Sequence, residues 1–485
     1  MLVVVQASSI GTARLQQLLL RPLVLELLVN TLLITTVATL AATCLGLVVA
    51  WCVERTDLPG KQVWGVLAGL PLAVPAFVTS YSWVSITPLV QGFAGATLIV
   101  TLAYYPLVYL PVAATLRGMD PTFEETARAL GHGPWRTFVR VILPQTRPAL
   151  LGGALVVAIH LLAEFGAFAM LRFRTFTTVI YDEYRLSFSG PAASILAGVL
   201  ACVCILLLVV EVRVRGRARY TRVGAGAARP VVRVRLGHLR LPVIALLGVL
   251  VGAALGLPLV TLAYWLTRTS AQLQLGALVA SATTSVGLGL AAACLTTLLG
   301  LPIGYLAVRF PSRFATLLER AVYVAYSLPG ITVALAFVIL AVRFARPAYQ
   351  TTPLLVAAYS ILFLPLALVS ARAAFAQAPL AVEEIARSLG CGPWSTFRRV
   401  TLPIIARGLE AGAALIFLFT LTELPATLLL SPPGTATLAT AFWSNVRSLA
   451  YGAAAPYAAL MICVSALPTY FLTRRFSAPA RTGEP

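Results

Sequence analysis

Residues Glu124–Pro144 read EETARALGHGPWRTFVRVILP, and residues Glu383–Pro403 read EEIARSLGCGPWSTFRRVTLP. The two stretches are identical at 15 of 21 positions, at a constant offset of 259 residues. Matches outside them keep register: Pro106 with Pro365 and Glu164 with Glu423 at the same offset, Gly46 with Gly300 and Arg55 with Arg309 at an offset of 254. The chain is a tandem duplication.

The residues between the copies decide what kind of duplication it is. Of 485 residues, 59% are apolar and 11% charged, with a mean hydropathy of +0.91. Soluble domains are about 45–50% apolar and about 25% charged. That contrast excludes a soluble enzyme, and the scarcity of charge equally excludes a disordered chain. A bilayer core takes about 20 mostly apolar residues per helix. Such stretches lie near Leu27–Trp51, Val63–Ile86, Ala94–Leu116, Ala149–Phe168, Ala192–Val212, Leu241–Leu266, Ala277–Val308, Ala321–Ala341, Pro353–Ala374, Gly408–Leu430 and Ala453–Leu472. The expected fold is an all-α polytopic membrane protein of eleven spans, or twelve if Met1–Leu20 is a remnant of one more. The long Ala277–Val308 stretch predicts a tilt or a kink near Gly300-Leu-Pro302, and Pro75 and Pro329 predict kinks or unwound breaks.

Six spans separate the repeated loops, so the copies face the same side and the modules run parallel. The expected organisation is a first module over 1–212 with five spans and a polar loop at about 118–147. A linker over 213–240 follows, then a second module over 241–472 with six spans and a loop at about 376–406, and a tail over 473–485. Lys+Arg number 36 against 16 Asp+Glu. Nine arginines and no acid lie from Arg213 to Arg240, which predicts a cytoplasmic linker. Counting spans outward places both polar loops, Arg55, Lys61, Arg309, Arg313 and the C-terminus on that side, and Met1 on the other. The basic surplus belongs to such loops at the membrane lipid and not to a nucleic-acid-binding domain. Six of the seven cysteines lie in or at the ends of apolar runs, and the Cys202/Cys204 pair points to different sides of a helix. With three scattered histidines, no metal site is read.

Each repeated loop has a readable mechanism. Glu124-Glu125 and Glu383-Glu384 begin a short helix at the end where its dipole favours carboxylates. Gly131 and Gly390 stop it, and Gly133-Pro134 and Gly392-Pro393 turn the chain. A second amphipathic segment carries Trp135, Phe138, Val141 and Leu143 before Pro144. The whole predicts a helix–turn–helix projecting from the bilayer, with small Ala127 and Ala386 allowing close approach.

These residues resemble the EAA loop of importer-type ABC permeases, at Glu125, Ala127, Gly131, Leu143 and Pro144, and again at Glu384, Ala386, Gly390, Leu402 and Pro403. The first Ala of the family triplet is replaced by Thr126 and Ile385. Two such modules in one chain resemble the ferric-iron permeases, with thiamine permeases as architectural relatives, and Thr175–Tyr181 and Glu423–Leu428 look like the ferric branch. The resemblance implies that Glu124, Glu125, Ala127, Gly131, Glu383, Glu384, Ala386 and Gly390 dock on ATP-binding cassette subunits, in two copies. ATP and Mg would be bound by those subunits and no cofactor by this chain. It also implies an extracytoplasmic binding protein, alternating access and a multi-pass place in the bacterial inner membrane. Independently, the chain has no G-x-x-x-x-G-K-[ST] phosphate loop, since its one lysine, Lys61, is followed by Gln62. It also lacks any nucleophile–base constellation, so it reads as a transport subunit and not an enzyme. An ion-coupled secondary carrier is the competing class, but it leaves the duplicated loop without a role. Glu164 and Glu423, inside apolar stretches, are the candidate path residues, with Tyr81, Tyr105 and Tyr326 next.

Overall fold

A computed structural model describes residues 17, 20–215, 234–269, 274–326 and 328–477. Met1–Leu20 as a possible twelfth span, the extracytoplasmic Met1, most of the linker and the last residues of the tail lie outside the described residues. Among these residues the regular structure is helical, with one isolated parallel bridge between Thr56 and Val234. Among the described residues eight helices are long and apolar enough to cross a membrane: Pro22–Arg55, Phe93–Gly118, Pro134–Ala163, Gly190–Val209, Gly237–Arg268, Leu275–Arg309, Thr352–Gln377 and Pro393–Thr422. Tyr451–Ala466 is a shorter apolar helix.

Two expected spans are not straight. Lys61–Ala73 and Ala76–Ile86 meet at 90°, and Arg313–Ala325 and Gly330–Phe344 at 105°. Pro75 and Pro329 sit at these corners as N-caps, with extended ψ of 142° and 144°. A proline has no N–H to give and its ring collides with the carbonyl four residues back, which disfavours continuing the helix through these two positions. Leu275–Arg309, by contrast, runs unbroken through Pro302.

The described residues form two compact units, divided between Tyr264 and Trp265. In each, three long helices approach through glycine. In the first, a Cβ on Gly46 would lie 2.8 Å from Val108 Cβ and 2.9 Å from the Tyr109 nitrogen, and one on Gly153 would lie 2.8 Å from Val108 Cα. In the second, a Cβ on Gly300 would lie 2.6 Å from Ala367 Cβ, and one on Gly412 2.5 Å from Ser370 Cβ. Lipid offers apolar surface no less readily than a neighbouring helix does, so packing of this closeness supplies what burial cannot.

The division between units does not follow the repeat. The helix Arg240–Val251 stands just before the second copy in sequence, yet its Leu247 and Leu250, with Ala254 of the following π turn, join the core built by Ala68, Ile99 and Tyr105 of the first. The helix lies beside Lys61–Gly69, and the π turn Gly252–Gly256 that follows it lies beside the Leu70–Ala73 turn.

Gly300→Val is expected to lower stability by about 1–3 kcal/mol, the usual cost of overpacking, and to reduce the yield of monodisperse protein. Gly248→Val, where a Cβ meets nothing within 4 Å, should be neutral. Thermal unfolding of both variants in detergent checks the pair.

Candidate functional site

The first helix of each unit is longer than the bilayer. Pro22–Arg55 has 34 residues, about 51 Å at 1.5 Å per residue, against a hydrocarbon core of about 30 Å. Its last residue therefore reaches the polar zone, and there Arg55 meets the repeated loop. Arg55 Nη1 lies 2.6 Å from Glu124 Oε1, with side-chain exposures of 2% and 6%. Arg309 Nη2 lies 2.8 Å from Glu383 Oε1, at 6% and 4%. Arg309 also donates to the Ala378 carbonyl at 2.9 Å, and Arg55 to Met119 Sδ at 3.2 Å. On the far side of each carboxylate, Arg128 and Arg387 stand at 3.9 and 3.7 Å. Glu124 and Glu383 thus turn inward and hold the short helices Thr122–Ala129 and Leu380–Ser388 against the units. Ala127 and Ala386 are buried on the same side, while Glu125 and Glu384 are exposed.

Both helices stop as their glycines demand. Gly131 and Gly390 have φ of +79° and +82°. Around Gly131, His132 N donates to the Ala127 carbonyl at 3.0 Å and Gly131 N to that of Arg128 at 2.9 Å; Cys391 and Gly390 repeat the pattern at 3.1 and 3.0 Å. This paired closure needs a left-handed residue and satisfies carbonyls the helix end leaves open. The turn lifts Leu130 and Leu389 into the open, 74% and 78% exposed. Beside them Trp135 and Trp394, each 73% exposed, stack on Phe138 and Phe397 at 5.6 and 5.7 Å. The rings stand out because the residues that the short Pro134–Thr137 and Pro393–Thr396 turns bury are Thr137 and Thr396.

The second segment is also not a separate helix. Phe138–Ile142 and Phe397–Thr401 are π turns that lead directly into Leu143–Ala163 and Leu402–Thr422. Widening the turn just before Pro144 and Pro403 relieves the clash each ring would make with the carbonyl four residues back. The second segment and the long helix are one continuous rod, Pro134–Ala163 in the first copy and Pro393–Thr422 in the second.

A contact that local pattern could not reveal ties the linker to this place. Val234 N donates to the Arg55 carbonyl at 2.8 Å, Asp57 N to the Val234 carbonyl at 3.2 Å, and Leu236 N to Asp57 Oδ1 at 2.8 Å.

At the other end of the rods stand the two candidate path carboxylates. Neither lies within a helix. Glu164 and Glu423 are the extended residues that end Leu143–Ala163 and Leu402–Thr422, about 31 Å from Leu143 and Leu402 at 1.5 Å per residue. Glu164 Oε1 accepts from Ala167 N at 2.8 Å and its Oε2 from the Tyr104 hydroxyl. Glu423 Oε1 accepts from Ala426 N at 3.2 Å and lies where a Cβ on Gly330 would come within 2.7 Å. Each carboxylate begins a short helix, Gly166–Met170 or Pro425–Leu430, and those helices pack on Ala76–Ile86 and Gly330–Phe344, beyond the proline corners. Tyr105 is fully buried in the core; the hydroxyl that reaches a carboxylate belongs to its neighbour Tyr104. The side chain of Tyr326 lies outside the described residues. Next along the chain, Phe176–Arg185 and Leu438–Arg447 both open with a threonine capping box, and their first N–H groups donate to Thr31 and Ser285 of the long first helices at 3.2 and 2.7 Å.

The sequence matches the family described as "Binding-protein-dependent transport system inner membrane component" twice, over residues 42–220 and 300–477. It is 36% identical over 477 residues to the Fe(3+)-transport system permease protein FbpB 2 of Haemophilus influenzae, covering 97% of this chain and 94% of that protein. Over 218 residues it is 30% identical to the sulfate transport system permease protein CysT of Escherichia coli, covering 41% of this chain and 78% of that one. Over 151 residues it is 30% identical to the molybdenum transport system permease protein ModB of Escherichia coli, covering 28% and 66%.

Arg309→Met strands a buried carboxylate and is expected to destabilise the Leu380–Ser388 helix by about 3–5 kcal/mol. Arg309→Met with Glu383→Leu should recover most of that loss. Amide hydrogen exchange across Leu380–Ser388 reads it: fast in the single variant and near the parent rate in the double.

Proposed function

The chain belongs to the binding-protein-dependent transport system inner membrane components, and from that premise we propose that it is the membrane subunit of an ATP-driven ferric-iron importer. The observation that carries the docking part of this reading is the pair of Leu–Gly–x–Gly–Pro–Trp turns. Each presents exposed apolar side chains on a helix that a buried ion pair holds rigid. Exposed aromatic and aliphatic groups on a rigid support suit a protein partner, and two such turns suit two copies of an ATP-binding cassette subunit. ATP and Mg belong to that partner. Glu125 and Glu384 lie on the docked face and Gly131 and Gly390 shape its turn, while Glu124 and Glu383, with the buried Ala127 and Ala386 packed beside them, anchor it from behind.

A ferric cargo is supported by a relative that is alike over nearly the whole chain and is named an Fe(3+)-transport permease. The sulfate and molybdenum permeases are alike over less than half of it. In this reading an extracytoplasmic binding protein delivers the cargo at the end of the rods where Glu164 and Glu423 stand. The repeated loops, linker and C-terminus face the cytoplasm. Closure of the ATPase pushes on the loops, and the continuous rods carry that motion about 31 Å to the helix breaks, which is the alternating access expected of the architecture.

Trp135→Ala with Trp394→Ala leaves every span untouched. It is expected to cut the ATPase subunit recovered with the permease about tenfold or more, the loss typical of interface aromatics, and to abolish uptake. Undiminished recovery with normal uptake would overturn the docking assignment.

A further inference from the structure

Three polar side chains of the first unit meet where the rod Leu143–Ala163 ends. The Tyr104 hydroxyl donates to Glu164 Oε2, and the Tyr104 ring lies 5.7 Å from the His160 ring, centroid to centroid. His160 stands in the last turn of the rod, four residues before Glu164, the extended residue that ends it. His160 Nδ1 lies 2.8 Å from the Val156 carbonyl. A neutral imidazole donating from Nδ1 carries its lone pair on Nε2, the arrangement second-partner hydrogen bonds impose on metal-binding histidines. All three residues are half-buried, neither sealed in the core nor fully open.

The second unit repeats the backbone without the chemistry. At the offset of 259 residues, Tyr104 becomes Phe363 and His160 becomes Phe419, while Glu164 remains a glutamate, Glu423. The Phe363 and Phe419 rings stack at 6.1 Å, occupying the place of the Tyr104–His160 pair. Two apolar rings therefore satisfy the packing at this point, and neither a phenol nor an imidazole is needed for it. Polar groups inside a membrane are costly and mark function.

The geometry points to Tyr104, His160 and Glu164 as a binding site for a hard, highly charged metal cation, present in the first unit and absent from its repeat. The assignment of ferric ion as its occupant rests on the ferric reading above. A phenolate and a carboxylate supply hard oxygen donors, and imidazole nitrogen suits iron. As the cation arrives, the Tyr104 O–H bond breaks, its proton passes to water, and the oxygen pair forms the bond to the metal. Glu164 Oε2 exchanges the lost hydrogen bond for the metal, while Oε1 keeps the Ala167 N–H and with it its position. His160 donates through Nε2 without losing a proton. Three protein donors leave the remaining coordination positions to water or to a chelator, so the ion is held but can leave, as conduction requires.

The test uses the intact permease–ATPase complex in lipid nanodiscs, titrated with ferric citrate, and the same complex in vesicles for uptake from its binding protein. Wild type should develop a visible phenolate-to-iron charge-transfer band that saturates with iron. Tyr104→Phe should abolish the band and His160→Phe should shift it. The double variant rewrites this place as the second unit and should fold normally, yet take up iron about tenfold more slowly or worse. Glu423→Gln should leave the band unchanged. Iron uptake by wild type without the band, or parent-rate uptake by the double variant, would overturn the site. If Tyr104→Phe fails to assemble, an unshifted band in His160→Phe overturns it equally. A saturating band in a wild-type complex that imports no ferric iron would support the site and sink the ferric import reading instead.

Discussion

A guanidinium and a carboxylate that are both almost fully buried cannot be separated without stranding a charge in a medium that solvates it poorly. Arg55 with Glu124, and Arg309 with Glu383, impose that constraint at the end of each unit's longest helix. Because the pair must stay together, the end of the first helix and the short exposed helix move as one piece. The backbone extends the piece further: the carbonyl of Arg55 is taken by Val234, so the end of the arginine-rich linker is fastened to the same residue whose side chain anchors the loop.

From that anchored corner the chain has no soft joint for some distance. The glycine turn is closed by two hydrogen bonds in each copy, and the π turn passes without interruption into the long helix. The first soft place is the carboxylate that ends this helix, where the backbone is extended and a new short helix begins. Proline corners abut the same region from the other side through Ala76–Ile86 and Gly330–Phe344. Stiffness near the loop and breaks near the far end are what a lever needs, and both repeats have them.

Features whose cause is local were legible in the residues. Gly131 and Gly390 stop their helices because a left-handed residue closes the turn, and any reader of the stretch can see them. The membrane class and the duplication rest on composition and identity over long runs, which no tertiary contact can undo. What stayed hidden depends on partners distant in the chain. Arg55 reads as a charge marking the end of a span, and nothing nearby announces that Glu124, 69 residues on, will bury it. Glu124 and Glu125 look equivalent in the sequence, but helix phase turns one inward and the other out. The same phase, shifted by one residue, separates buried Tyr105 from Tyr104 with its reach to Glu164. Hydropathy sees Val63–Ile86 as one apolar run and is blind to the right angle at Pro75. It likewise runs through Glu164 and Glu423, because a single carboxylate hardly alters the average of a long window.

The helix Arg240–Val251 carries a consequence for how the protein is made. Its leucines complete the core of the first unit, yet they are translated only after the whole linker. A nascent chain that has emerged through the first repeat and the linker still lacks a wall of its own first unit. Apolar surface that this helix will cover must be guarded in the interim by lipid or by the insertion machinery. Cutting the gene at the linker, the place where the repeat invites a cut, would leave that wall on the wrong polypeptide. A division after Arg268, where that span ends, would keep Leu247 and Leu250 with the core they complete.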